Sequence, residues 1–193
     1  GVTNLTTFCV PASCTFICGE TFWGTKIQYF TVEEGNKHYK EYNGSIFNIN
    51  LTALIAHRKS GELSLPLTTY YIGNLAFSAF EGNIRLEKNI TSFSNWAFLG
   101  YYGKFIEILG TMSYVRSRCF ESCLYLIEVK FYCEVNTIEF DAFKYSNKLK
   151  RVFFLYKPEN ISEQSFPDFN KICFYGAVDG IELLLPTKRI NKC

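Results

Sequence analysis

The chain has 193 residues, 48% of them apolar and 18% aromatic, and a formal net charge of +2. That is one domain's length with apolar matter for a sizeable core, and it excludes a disordered chain. The near balance of charge excludes the clustered basic face that nucleic-acid binding needs. No uncharged apolar run reaches the roughly 20 residues of a membrane span, so no membrane insertion is expected.

The chain starts Gly1-Val2-Thr3-Asn4, without Met or a basic leader, and reads as a mature or trimmed N-terminus. Cys9, Cys14 and Cys18 crowd the first segment. Lys26–Val32 and His38–Tyr42 flank Glu33-Glu34-Gly35-Asn36, a turn signal, and predict a hairpin. Asn50 to Lys59 predicts a short helix with Asn50 as its N-cap.

A repeat follows. Ala76-Phe77, Ala97-Phe98, Cys119-Phe120, Ala142-Phe143 and Ser165-Phe166 recur at spacings of 21, 22, 23 and 23 residues. Five residues before each Phe stand Ile72, Phe93, Val115, Ile138 and Ile161. Twelve before stand Leu65, Leu86, Ile108, Phe131 and Phe154, and two earlier again Leu63, Ile84, Ile106, Val129 and Val152. Columns at i and i+2 are the inward side of a short strand. The small residue before each Phe lets two backbones approach, and the Phe fills the space between layers. One unit cannot bury these groups alone, so units must stack with their strands parallel.

Ile72-Gly73-Asn74-Leu75-Ala76-Phe77 and the strand-plus-proline Leu63-Ser64-Leu65-Pro66 resemble the BspA-like leucine-rich repeats of bacterial and protozoan surface proteins. The resemblance covers roughly residues 60 to 176, with departures such as Phe93-Ser94 in place of Ile-Gly. It implies an α/β leucine-rich-repeat solenoid with parallel strands on one face. It implies adhesion or binding rather than a shared catalytic set.

Open solenoids need covered ends. Residues 1–60 are therefore expected to form a disulfide-stapled N-terminal cap, 61–176 the repeats, and 177–193 a C-terminal cap. Ile181, Leu183 and Leu185 alternate before Pro186 and predict a final cap strand. The eight cysteines, at 9, 14, 18, 119, 123, 133, 173 and 193, are an even set that suggests disulfides. Cys173–Cys193 could staple the C-terminal cap, and Cys119–Cys123 or Cys123–Cys133 are open alternatives. No Cys-x-x-Cys pair exists and both His residues lie far from any Cys in sequence, so no zinc or other cofactor is expected. Five Asn-x-Ser/Thr sequons, at Asn4, Asn43, Asn50, Asn89 and Asn160, add to the expectation of a secreted, extracellular glycoprotein.

No nucleophile–base pair, paired carboxylates or phosphate loop stands out, and no enzyme is expected. His38 and His57 both fall in the cap segment. The candidate surface is the outer row of the strands. Between the inward pairs lie Ser64, Arg85, Glu107, Lys130 and Phe153, flanked by Glu62, Asn83, Phe105, Glu128 and Arg151 and by Pro66, Glu87, Leu109, Tyr132 and Leu155. The alternating signs of Arg85, Glu107 and Lys130 read as a sheet-stabilising charge ladder. Phe105, Leu109, Tyr132, Phe153 and Leu155 are large apolar groups on a face that should be wet, which marks a contact surface weighted to the C-terminal strands. Phe105, Glu107, Leu109, Lys130, Tyr132, Arg151, Phe153 and Leu155 are thus the candidate site for a protein or glycan partner. Trp96, Trp23, Tyr70-Tyr71 and Tyr101-Tyr102 could form a sugar platform, but among 13 Tyr, 19 Phe and 2 Trp, core and turn packing accounts for them more simply. The alternative function is a filament subunit, extended through an apolar edge at Ile181–Leu185 and partnered by copies of itself.

Overall fold

The computed structural model describes residues 4–184 and 190–193. The N-terminal segment builds β1 (Thr7–Val10), β2 (Tyr29–Val32), β3 (Tyr39–Tyr42), β4 (Ser45–Asn48) and β5 (Ala53–Ala56). β1 and β2 pair in parallel, so the expected hairpin between 26–32 and 38–42 does not form. The antiparallel hairpin is β3–β4, one step later, closed by Asn43 and Gly44, both at positive φ. Asn-Gly is the sequence pair that turn demands, and it was the stronger signal. The expected Asn50–Lys59 helix is instead β5, which pairs antiparallel with β4 and parallel with the first repeat strand. Ala53-Leu54-Ile55-Ala56 alternates half-buried and buried, a strand period rather than a helical one.

The next strands are β6 (Tyr71–Ile72), β7 (Ile84–Leu86), β8 (Ser92–Phe93), β9 (Phe105–Ile108) and β10 (Met112–Val115). They continue as β11 (Glu128–Phe131), β12 (Val135–Ile138), β13 (Arg151–Phe154), β14 (Asn160–Ile161), β15 (Cys173–Gly176) and β16 (Asn191–Lys192). Odd-numbered strands from β7 to β15 make one parallel sheet, with β16 added beyond β15. The even-numbered strands from β6 to β14 lie on a second side, β6 and β8 joined to the cap sheet and β10, β12 and β14 together. The expected α/β class is therefore corrected: this is a β-solenoid. Among the described residues the only helices are three short 3-10 turns, Gly19–Phe22, Phe169–Lys171 and Ile181–Leu184.

The reason lies in the return segment. Leu75, Trp96, Arg118 and Asp141, each two residues before the repeat Phe, hold φ of 57–58°. Two residues after the Phe, Ala79, Gly100, Ser122 and Tyr145 are left-handed too, with φ of 55–66°. Two left-handed residues per repeat break any α-helix. Their neighbours' N–H groups bond the next repeat instead, as in Phe77 to Ala97, Phe98 to Cys119, Phe120 to Ala142 and Phe143 to Ser165 carbonyls.

Inside, the Phe column is a ladder of rings. Phe77–Phe98, Phe98–Phe120, Phe120–Phe143 and Phe143–Phe166 stack at 4.7 to 5.2 Å. The ladder is headed by a histidine. Ala56-His57 sits where an Ala-Phe pair would, with the His57 N–H bonded to the Ala76 carbonyl and its ring 5.3 Å from Phe77. A second, smaller core of Val10, Phe22, Ile27, Phe30, Tyr39, Ile46 and Ala56 fills the cap.

The expected apolar cap strand at Ile181–Leu185 is a 3-10 turn over Ile181–Leu184, while Leu185 and Pro186 fall outside the described residues. The sheet's last strand is the polar β16. Cys173 and Cys193 are bridged, with Cα atoms 5.7 Å apart. The other six cysteines are free, so the N-terminal cap carries no disulfide and neither Cys119–Cys123 nor Cys123–Cys133 forms. The cap is tied by polar bonds instead: the Asn36 side chain donates to the Pro11 and Cys14 carbonyls and accepts from the His38 and Tyr39 N–H groups.

Candidate functional site

The register of the odd-numbered sheet brings the predicted row together. Arg85 pairs with Glu107, Glu107 with Lys130, Lys130 with Phe153, and Phe153 with Tyr175. Alternation points each of these to the outer face while Ile84, Leu86, Ile106, Ile108, Val129, Phe131, Val152 and Phe154 go inward. Ser64 does not join the row, because 62–70 runs without strand pairing and Leu63 and Leu65 are only half-buried.

The charges form a ladder. Arg85 reaches Glu107 at 2.8 Å, Lys130 lies 3.6 Å from both Glu107 and Glu128, and Arg151 Nε meets Glu128 at 2.9 Å. Glu128 is the buried node, 7% exposed, and also accepts from the Tyr175 hydroxyl at 2.7 Å. Burial and then the Glu128 carboxylate push the Tyr175 hydroxyl up to about 12. Glu128→Gln keeps the shape and removes the charge that Arg151 and Lys130 face. With both cations partly in water, the expected loss is about 1 kcal/mol in a urea melt.

C-terminal to the ladder the face turns aromatic. Tyr132 and Phe153 rings lie 5.2 Å apart and Phe153 and Tyr175 5.1 Å. Leu155 is exposed beside them, Phe105 and Leu109 are half-buried, and Arg151 is exposed. A depression of about 410 Å³ opens over Asn83, Arg85, Phe105, Glu107, Glu128 and Lys130. The eight predicted residues thus share one face, with the charged members spent partly on each other. Sequence reasoning missed Tyr175. Its strand carries Phe174 in the first inward column but Gly176 in the second, so the apolar pattern ends one strand early. Gly176 has φ +91°, and a Cβ there would lie 2.2 Å from the Phe154 carbonyl oxygen.

The remaining sequence candidates are dispersed. Tyr101 is fully buried with its hydroxyl 2.7 Å from the Gly82 carbonyl oxygen, while Tyr70 and Tyr102 are exposed. Burial raises the Cys119 thiol, and lifts Cys123 to about 12 and Cys133 to about 11, the opposite of what an activated nucleophile needs. His57 Nδ1 lies 2.7 Å from the Arg58 carbonyl oxygen and its ring packs on Phe80. Asn4, Asn43, Asn50 and Asn160 are exposed, but the Asn89 side-chain nitrogen donates to the Thr69 carbonyl.

A stack of parallel strands around a ring ladder, presenting one broad face and no assembled catalytic group among the described residues, defines a repeat protein of the leucine-rich class. The BspA-type leucine-rich repeat model matches residues 48–173 in six copies. The chain belongs to that family. No curated protein matches the sequence. Among solved structures, the pneumococcal vaccine antigen PcpA is similar at 18% identity and a TM-score of 0.71, over 98% of this chain and 56% of that one. A leucine-rich cell surface protein from Faecalibacterium prausnitzii is 20% identical with a TM-score of 0.66, over 79% of this chain and 42% of that one. A leucine-rich repeat protein from Eubacterium ventriosum is 17% identical with a TM-score of 0.57, over 81% and 50%. The chain therefore spans about half the length of the structures it matches.

Proposed function

We propose that the chain is a non-catalytic binding module of a secreted or cell-surface glycoprotein and that it grips a protein partner through the C-terminal half of its sheet face. The observation that carries this reading is the outward-facing, half-buried cluster of Tyr132, Phe153 and Tyr175 beside the exposed Leu155 and Arg151 on the sheet. Aromatics and Arg are the residues that dominate interface cores, and the neighbouring charge ladder supplies a polar rim. The description of the Faecalibacterium relative as a cell surface protein supports the extracellular setting, as do four exposed sequons. The alternative, a filament grown from an apolar C-terminal edge, loses its footing because that edge is a 3-10 turn and the terminal strand is polar.

The test compares the wild-type chain with Tyr132→Ala/Arg151→Glu/Phe153→Ala on a panel of immobilised extracellular proteins, read by biolayer interferometry. Binding to at least one of them, lost by roughly tenfold or more in the triple variant with the melting temperature held, is the expected result. Equal affinity of the two chains would remove the face assignment.

A further inference from the structure

The turns of the solenoid carry a second feature, on residues that the sheet face does not use. A groove of about 470 Å³ runs between the two rows of left-handed residues, and the N-terminal cap closes one side of it. Its walls hold both tryptophans of the chain. Trp23 comes from the cap and is 61% exposed; Trp96 comes from a repeat turn, distant from it in sequence.

The left-handed backbone explains how Trp96 arrives there. Trp96 and Arg118 occupy the same turn position in successive repeats, so their side chains lie side by side, with the guanidinium 5.9 Å from the indole centroid. The Trp96 indole N–H donates to Glu121 at 2.9 Å, which fixes the ring plane. Tyr102 continues the rim and packs edge-on against Tyr125 at 5.6 Å, and Lys148 lies over Tyr125. Glu20 faces these groups from the cap. Asn74 lines the groove, and its side-chain oxygen is buried with no hydrogen-bond donor.

We propose that this groove is a carbohydrate site that takes the pyranose rings of a neutral glycan. A pyranose has an apolar C–H face, which suits a flat indole or phenol, and a rim of hydroxyls that both donate and accept. The groove offers rings at its two edges and the Glu20 and Glu121 carboxylates and the Arg118 guanidinium in its lining, in a volume inside the roughly 300–1,000 Å³ range of small-ligand sites. Its charge selects against ions. Glu20 and Glu121 oppose an anionic sugar, and Arg118, held 3.7 Å from Asp141, is not a free anion receptor. Arg118 in the lining opposes a cation. The walls are turns whose N–H groups already bond the next repeat, so no strand edge is open to an extended peptide.

Because the only two tryptophans of the chain line the groove, their fluorescence reports on it alone. The test begins with a glycan array that spans neutral hexose, N-acetylhexosamine and sialylated termini. The soluble oligosaccharide of the strongest spot is then titrated against tryptophan emission. Expected are a neutral spot, a saturable emission change, and affinity at least roughly tenfold weaker in Trp23→Ala with an unchanged melting temperature. Tyr102→Ala is the second variant, outside the cap, and weakens binding in the same way, whereas Phe153→Ala on the sheet face leaves it intact. The proposal is overturned if no spot rises above background, if only sialylated spots do, if both groove variants bind like wild type, or if tetramethylammonium gives the same saturable change.

Discussion

Phe120→Ala is expected to destabilise the chain by about 3–5 kcal/mol, the largest effect of any single substitution considered. Phe120 is fully buried and sits mid-ladder, with Phe98 4.7 Å away on one side and Phe143 4.8 Å on the other. Removing its ring takes a layer out of a stack in which each repeat contacts only its neighbours. The two sides should then uncouple. A urea melt followed by intrinsic fluorescence, which reads Trp23 and Trp96 on the N-terminal side, should part from one followed by far-ultraviolet circular dichroism, which reads the whole chain. A single coincident transition shifted by less than 1 kcal/mol, on the order of a surface change, would contradict the ladder's role.

Acid is expected to act at the other end of the same ladder. Burial holds the His57 imidazole at about 4, well below the usual 6.5, with the Arg58 and Lys59 charges adding to the shift. The folded state therefore prefers the neutral ring. This contribution is complete above pH 6.5 and is lost as pH falls from 6.5 toward 4, where the ring charges in the folded state too. At about 1.4 kcal/mol per unit, the loss across that window is about 3 kcal/mol. His57 joins the cap to the first repeat, since its N–H bonds Ala76 and the Lys59 N–H bonds Ile27 in the cap. The cap should loosen first, and His57→Phe, which extends the ring ladder with a group that does not titrate, should flatten the pH profile between 6.5 and 4. A variant that keeps the wild-type slope would place the acid sensitivity elsewhere.

The repeat was legible because it is written in local terms. Four apolar columns at 21 to 23 residue spacing place the inward side of β7, β9, β11 and β13 and the ring ladder, and the outer row Arg85, Glu107, Lys130 and Phe153 follows from strand alternation alone. What failed was also local. A buried imidazole in the Phe column at His57 and a glycine in the inward column at Gly176 hid one unit at each end of the pattern. The helix expected at 50–59 was an N-cap signal overridden by pairing with β4 and β6. The even cysteine count suggested a stapled cap, yet only Cys173 and Cys193 are bridged.

By itself the sequence determined the period, the inward columns and the face that strand alternation leaves outside, because side-chain direction along a strand repeats every two residues whatever the rest of the chain does. Only the tertiary structure decided which distant groups meet. Glu128 gathers Arg151 and Tyr175 because parallel registers set three strands side by side. Trp23 and Trp96 line one groove because the cap folds back over the turns. Such meetings depend on long-range packing, which leaves no periodic mark in the chain, so the place of Tyr175 on the sheet face and the groove between cap and turns became visible only once the repeats were stacked.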